Sequence, residues 1–247
     1  MQTTNGKDPT TGIAASPGDT LAVTPVVVRY EDVVGSLRTA YDGGAARRDR
    51  MDKTPWKLAE RAAFLRRLRD QRCTRLLEIG AGTGQDSLYF QDHGLEVIAT
   101  DLSPTMVAYC REKGIDARVM DFLHLTFPPA SFDAAYALNC LLHVPNADLP
   151  AVLQAIHGLL RPGGLFFLGV YGGQSDEGPA VDDVHDPPRF FSWRTDEQIQ
   201  QFARQFFDIV DFHIVEHDEI HFQSLTLARA VTPTHPTSAD RGRPARL

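Results

Sequence analysis

The chain has 247 residues, 43% of them hydrophobic and 23% charged, which is enough apolar content for one large domain with a sizeable core. Its net charge of -7 sets the whole-molecule field against a polyanionic partner. The three cysteines, Cys73, Cys110 and Cys140, are an odd number without C-x-x-C spacing, which argues against a disulfide framework or a structural zinc site and fits a cytoplasmic setting.

Residues 1–25 are rich in Thr, Gly, Pro and Ser without periodicity, and read as a disordered lead-in. The run "LAVTPVVV", Leu21 to Val28, is too short for a signal sequence, and no stretch of the chain approaches the roughly 18 apolar residues that span a bilayer. Residues 26–231 read as the folded domain. Its first part, 26–70, is a helical cap whose run from Glu60 to Asp70 has the basic solvated face of an amphipathic helix.

Strands and helices then alternate. Strands are predicted at Arg75–Ile79, Leu95–Thr100, Ala117–Met120, Phe132–Leu138 and Leu165–Tyr171, with helices at Gln85–His93, Pro104–Lys113 and Ala147–Leu160. Ser103-Pro104 is an N-cap followed by proline in the first turn, and His93-Gly94 and Lys113-Gly114 are helix stops. Such alternation, with nearly continuous apolar strands, means a parallel sheet covered on both faces. Residues 172–195 interrupt it with acids, His185, Arg189 and the aromatics Phe190, Phe191 and Trp193. Phe207–Val215 and His221–Ala230 follow, joined by too few residues for a crossover, so they form an antiparallel pair. The histidines His213, His217 and His221 there do not read as a metal cluster. Residues 232–247 read as a second disordered tail.

The most informative segment is "LLEIGAGTGQD", Leu76 to Asp86. Three glycines in five residues after a first strand let the main chain turn tightly and come close to a ligand. A nicotinamide dinucleotide loop needs G-x-G-x-x-G. Here the third glycine, Gly84, comes one position early, and Glu78 would repel a pyrophosphate while suiting a ligand that carries an ammonium or sulfonium.

"E-x-G-x-G-x-G" resembles the nucleotide loop of class I S-adenosylmethionine-dependent methyltransferases, and four further segments are similar to that family in order and spacing. They are "VIATDLSPTMV", "ARVMDFLHL", "SFDAAYALNCLLHV" and "LLRPGGLFFLGVY". The resemblance implies a Rossmann-like, doubly wound α/β fold with a seven-stranded sheet, mostly parallel with one antiparallel strand near the C-terminus, under a helical N-terminal cap. It implies S-adenosyl-L-methionine as cofactor, held by Glu78, Gly80, Ala81, Gly82 and Gly84 in the loop. Asp101 would accept the ribose hydroxyls with Leu102 beside it. Asp121 would take the adenine amino group, Phe122 would meet the ring, and Asn139 would border the cofactor. Tyr41, in "AYDGGA", would reach the methionine end.

The prolines and aromatic that follow the fourth strand in nucleobase-amine methyltransferases are missing after Asn139, and Asp133 lies at the wrong end of its strand for a carboxylate metal site, so no metal is expected. The chain looks closest to small-molecule methyltransferases. The expected partner is a small-molecule methyl acceptor, with no membrane or nucleic acid. A protein or RNA acceptor and a non-catalytic cofactor-binding protein are the alternatives. His143, just beyond the fourth strand, is the candidate general base, which would give a rate rising through the ordinary imidazole range; His185 on the insertion stands second.

Overall fold

The computed structural model describes residues 27–218 and 220–231, so the expected lead-in and tail lie outside the described residues. Helices α1 (Tyr30–Asp49) and α2 (Pro55–Asp70) precede the first strand. The main sheet follows: β1 (Arg75–Ile79), β2 (Glu96–Asp101), β3 (Asp116–Val119), β4 (Phe132–Leu138) and β5 (Leu160–Tyr171), with α3 (Gln85–Asp92), α4 (Pro104–Glu112) and α5 (Leu149–Leu159) in the crossovers. A hairpin of β6 (Asp176–Pro179) and β7 (Phe190–Trp193), helix α6 (Asp196–Arg204), and strands β8 (Asp208–His217) and β9 (Ile220–Ala228) complete the fold.

The sheet order is β3-β2-β1-β4-β5-β9-β8. All neighbours up to β5 pair in parallel, and β9 enters antiparallel between β5 and β8. The strand order reverses between β1 and β4, which is where a crevice opens beyond the carboxyl ends of the strands. Leu76, Leu77 and Ile79 of β1 are all buried, as a strand covered on both faces requires. One side of the sheet packs Phe64, Phe90, Tyr136 and Phe167 together, the last two stacked at 4.8 Å. The other side packs α5 and α6 residues, including Leu153, Ile156 and Ile199, against Phe132 and Phe166.

Local signals set most element ends. The Ser103 hydroxyl caps α4 by accepting the Met106 N–H at 3.1 Å, and Pro104 opens the helix. Most predicted bounds move by a residue or two, and two of the shifts have a clear local reason. Helix α5 begins at Leu149 rather than Ala147, with Pro150 in its first turn where a missing N–H is tolerated, and the side chain of the preceding Asp148 accepts the Tyr30 N–H of α1 at 2.6 Å. Strand β5 begins at Leu160, not Leu165. Its register on β4 steps from Phe132–Leu160 to Ala134–Leu165, so the intervening glycine turn, with Gly163 at φ +80°, is a bulge inside one strand.

Helix α1 lies across the carboxyl edge of the sheet and is fastened at several points. Asp42 accepts a hydrogen bond from the Ser103 hydroxyl and one from the Thr105 N–H at 3.2 Å, and Asp49 pairs with Lys113 at 2.5 Å. From the other side the insertion folds back as the β6–β7 hairpin. Cap and insertion thus meet over the same edge. Among the described residues no helix is long and apolar enough to cross a membrane.

Candidate active site

The three loop glycines all adopt left-handed backbone, with φ of +66° at Gly80, +57° at Gly82 and +83° at Gly84. An L side chain is disfavoured in that region, which is why the sequence spends three glycines here. The turn aims the Gly82 N–H at Asp101, whose carboxylate accepts it at 2.8 Å and accepts the Ser103 N–H at 2.9 Å. Asp101 is therefore fixed from two sides at the end of β2. Burial pushes its carboxyl up to about 6 against the pull of those two N–H groups.

A cavity of about 630 Å³ opens along this edge. Its walls follow the strand order: Phe122 after β3, Asp101 and Leu102 at β2, Gly80 after β1, Asn139 after β4 and Tyr171 at the end of β5. Tyr41 and His143 line it too. Asn139 also has a left-handed backbone, and its buried Oδ1 has no hydrogen-bond partner among the described residues.

Five sequence candidates lie off this lining: Glu78, Ala81, Gly82, Gly84 and Asp121. Glu78 is buried beside α3, where it accepts the Ser87 hydroxyl. Burial and the neighbouring Asp86, itself paired with Lys53 and Arg61, push the Glu78 carboxyl upwards. Asp121 is taken up by its own turn: it accepts the Leu123 N–H at 2.9 Å, the His124 N–H at 3.0 Å and the His124 Nδ1 at 2.8 Å.

The insertion side brings a polar group to Tyr41. His143 is buried in a short 3₁₀ turn after β4. Its Nδ1 lies 2.6 Å from the Phe190 carbonyl oxygen, which can only accept, so Nδ1 carries the proton. Nε2 is then an acceptor, and the Tyr41 hydroxyl donates to it at 2.5 Å. Burial lowers the imidazole to about 3, so the ring is neutral throughout the working pH range. This corrects the expectation of an ionisation near the ordinary imidazole value. Arg189 Nη1 also donates to the Tyr41 oxygen, at 3.3 Å.

Arg189 is itself gripped by Asp183, through Nε at 2.8 Å and Nη2 at 2.9 Å. Burial alone would raise the Asp183 carboxyl, but the Arg189 and His185 hydrogen bonds hold it well below the usual carboxylate range. His185 donates to Asp183 through Nδ1 at 2.9 Å, and its Nε2 accepts from Arg47 at 3.2 Å. The imidazole of His185 is thus committed to a clasp between insertion and cap.

Four contributors escape a reading of the sequence. Asp183 and Arg47 hold the clasp. Arg194, only 1% exposed, donates to the Val144 carbonyl at 2.5 Å, Asn146 Oδ1 at 2.7 Å and Ser192 Oγ at 3.0 Å, tying the segment after His143 to β7. Lys57 lines the cavity and donates to the Tyr171 hydroxyl at 2.8 Å. Its one sequence signal is a cation in the first turn of a helix, where acids are the favoured charge.

The comparisons with known proteins converge on the same fold. Residues 77–168 match the protein family described as a methyltransferase domain. Phosphoethanolamine N-methyltransferase 1 of Zea mays is 24% identical over 152 residues, 59% of this chain and 27% of that protein. A ubiquinone biosynthesis O-methyltransferase of Xanthomonas euvesicatoria pv. vesicatoria is 38% identical over 101 residues, 38% of this chain and 41% of that one. The chain thus spans less than half the length of these curated relatives. The solved structure of Burkholderia thailandensis 1,6-didemethyltoxoflavin-N1-methyltransferase, with bound 1,6-didemethyltoxoflavin and S-adenosylhomocysteine, superposes with a TM-score of 0.65 at 23% identity. It covers 87% of this chain and 100% of that one, a likeness of fold. Residues 77–168 thus match a methyltransferase domain, and the fold as a whole is the Rossmann-like fold of that methyltransferase structure.

Proposed function

We propose that this protein transfers the methyl group of S-adenosylmethionine to an oxygen or nitrogen of a small, flat molecule. One observation carries the reading: Asp101 and Gly80 share a single cavity with a hydrogen-bonded Tyr41–His143 pair of fixed tautomer. The residues fit the cofactor. Asp101 is immobilised by two N–H groups, and the carboxylate keeps further lone pairs for ribose hydroxyls. Leu102 and Phe122 supply apolar walls for adenine, Gly80 lets main chain come close, and the unpartnered Asn139 Oδ1 can accept from an ammonium. In this reading Glu78, Ala81, Gly82, Gly84 and Asp121 act behind these contacts by shaping the loops.

The bound cofactor supplies a methyl group on a sulfonium, activated for in-line displacement. Catalysis by the protein then rests on alignment in a water-poor pocket and on removal of one proton from the acceptor. Because the buried His143 ring is so weak a base, the proton moves once the methyl has arrived: the methylated, positively charged acceptor gives it to the Tyr41 oxygen as the Tyr41 hydroxyl proton passes to His143 Nε2, while His143 Nδ1 stays on the Phe190 carbonyl. Arg189, next to the Tyr41 oxygen, favours negative charge there during the transfer. Phe191 and Trp193 are stacked at 13° and 5.5 Å on the cavity wall and suit a flat acceptor. Small acceptors, phosphoethanolamine and 1,6-didemethyltoxoflavin, are also named for two of the similar proteins, which supports the substrate class.

Incubating the protein and a metabolite extract with isotopically labelled methyl donor should label a low-molecular-weight product. Tyr41→Phe and His143→Gln should each lower the rate about 10²–10⁴-fold while leaving the affinity for S-adenosylhomocysteine nearly unchanged. Binding of NADH with none of S-adenosylhomocysteine would overturn the assignment, and full activity in both variants would remove the proton relay.

A further inference from the structure

Lys57 is a half-buried cation that the methyl-transfer scheme does not use. Its only hydrogen bond among the described residues goes to the neutral Tyr171 hydroxyl, at 2.8 Å. Its ammonium lies 5.1 Å from the Trp56 ring and 5.3 Å from the Tyr171 ring. No carboxylate among the described residues forms an ion pair with it. The nearby Asp86 is already shared by Lys53 at 2.8 Å and Arg61 at 2.8 Å. Arg48 lines the same cavity and is close enough for its charge to act on the Lys57 ammonium. In a chain of net charge -7, this corner therefore carries an excess of positive charge.

The corner also lies at a defined end of the cavity. The lining runs along the strand ends from Phe122, through Asp101 and Gly80, to Asn139 and Tyr171. If the nucleoside occupies the β3–β2 end, the rest of a cofactor extended along this edge runs past Gly80 towards Asn139, Tyr171 and Lys57. Resting on the cofactor reading above, we infer that Lys57, with its ammonium steadied by Tyr171 and with Arg48 close by, receives the carboxylate of the aminoacyl end of S-adenosylmethionine.

The electrostatics agree with the geometry. Burial, with Arg48 and Lys53 pushing in the same direction and Asp86 opposing, lowers the Lys57 ammonium to about 8. A cation so disfavoured in the free protein gains most from an incoming anion. A carboxylate partner raises its proton affinity again, so binding takes up a proton wherever the free lysine is partly neutral. Affinity should then fall as pH rises through 8.

The test compares S-adenosylhomocysteine with 5′-methylthioadenosine, which keeps the nucleoside and sulfur but lacks the aminoacyl end. By calorimetric titration, Lys57→Met should weaken S-adenosylhomocysteine about 10–100-fold, the weight of one charge-assisted hydrogen bond, and leave 5′-methylthioadenosine within about twofold. Lys57→Arg should restore part of the loss. Between pH 7 and 9 the wild type should lose more affinity than Lys57→Met, since the ligand's own ammonium titrates alike in both. Unchanged S-adenosylhomocysteine affinity in Lys57→Met would overturn the assignment, and so would equal weakening of both ligands, which marks a general distortion. Wild-type binding of 5′-methylthioadenosine keeps the cofactor reading standing if the lysine assignment fails; binding of neither nucleoside removes both.

Discussion

The three glycines of the first loop share a left-handed backbone but differ in what surrounds them, so alanine should cost three different amounts. At Gly82 an added Cβ meets nothing within 4 Å. The penalty there is the left-handed conformation alone, about 1–2 kcal/mol, partly offset by about 0.4–1 kcal/mol from a less flexible unfolded chain. Gly82→Ala should therefore cost about 1 kcal/mol. At Gly84 the Cβ would sit 2.6 Å from Ile115 Cδ1 and 2.9 Å from Cys110 Sγ, both buried. The isoleucine methyl is the end of a flexible side chain and can yield at some cost, which brings the total to about 2–3 kcal/mol.

At Gly80 the Cβ would overlap the Cβ of Cys140 and lie 2.9 Å from its sulfur. Cys140 cannot swing aside freely, because it is buried and its Sγ donates to the Ile79 carbonyl at 3.1 Å. The clash has to be relieved by moving β1 against the segment after β4, and overpacking of that kind adds about 1–3 kcal/mol. Gly80→Ala should cost about 2–4 kcal/mol. Urea denaturation of the ligand-free variants at pH 7, compared through their midpoints at unchanged slope, reads the order directly. If Gly82→Ala proves as destabilising as Gly80→Ala, backbone conformation dominates and the argument from Cβ space is wrong.

Two further outcomes follow from buried charge. Arg194→Met leaves the Val144 carbonyl, Asn146 Oδ1 and Ser192 Oγ without their donor, and should lower stability by about 2–4 kcal/mol in chemical denaturation, with Arg194→Lys recovering only part because an ammonium cannot span the same fork. Glu78→Gln keeps an acceptor for Ser87 but removes a carboxyl whose proton affinity is raised in the folded state. Such a group stabilises fully below its unfolded value and loses that contribution as pH rises through the folded one. The variant should therefore gain on the wild type between pH 5 and 9 in denaturation midpoints, and a constant difference would show that Glu78 does not titrate there.

Local chemistry explains what the sequence makes legible. Glycines that need left-handed backbone, a serine before a proline at a helix start, and apolar runs of strand length act within a few residues of themselves. The order of strands up to β5, the loop around Gly80 and the carboxylate of Asp101 can be read that way. The antiparallel pairing of β8 and β9 is legible for the same reason, since the short connection permits nothing else. Asp121 was open to a similar reading, because the histidine three residues on, His124, offers it a local partner within one turn.

Contacts between distant segments are a different matter. Tyr41 and His143 are 102 positions apart, and neither residue type carries a mark that pairs it with the other. What brings them together is α1, fastened at Asp42 and Asp49, and the carbonyl of Phe190, which fixes the tautomer from a hairpin whose own attachment depends on Arg194. The same holds for Lys57. Its helix position is visible in the sequence, but that no carboxylate among the described residues pairs with it becomes visible only once Asp86 is seen to be taken by Lys53 and Arg61. The glycine loop and the strand-end residues on one edge of the cavity are thus written in short local segments, while the other edge is assembled by the tertiary fold from the cap, the turn after β4 and the insertion. Substitutions in the cap or insertion can alter that second edge without touching the glycine loop, so under the proposed reading the acceptor can change while the rest of the fold stays the same.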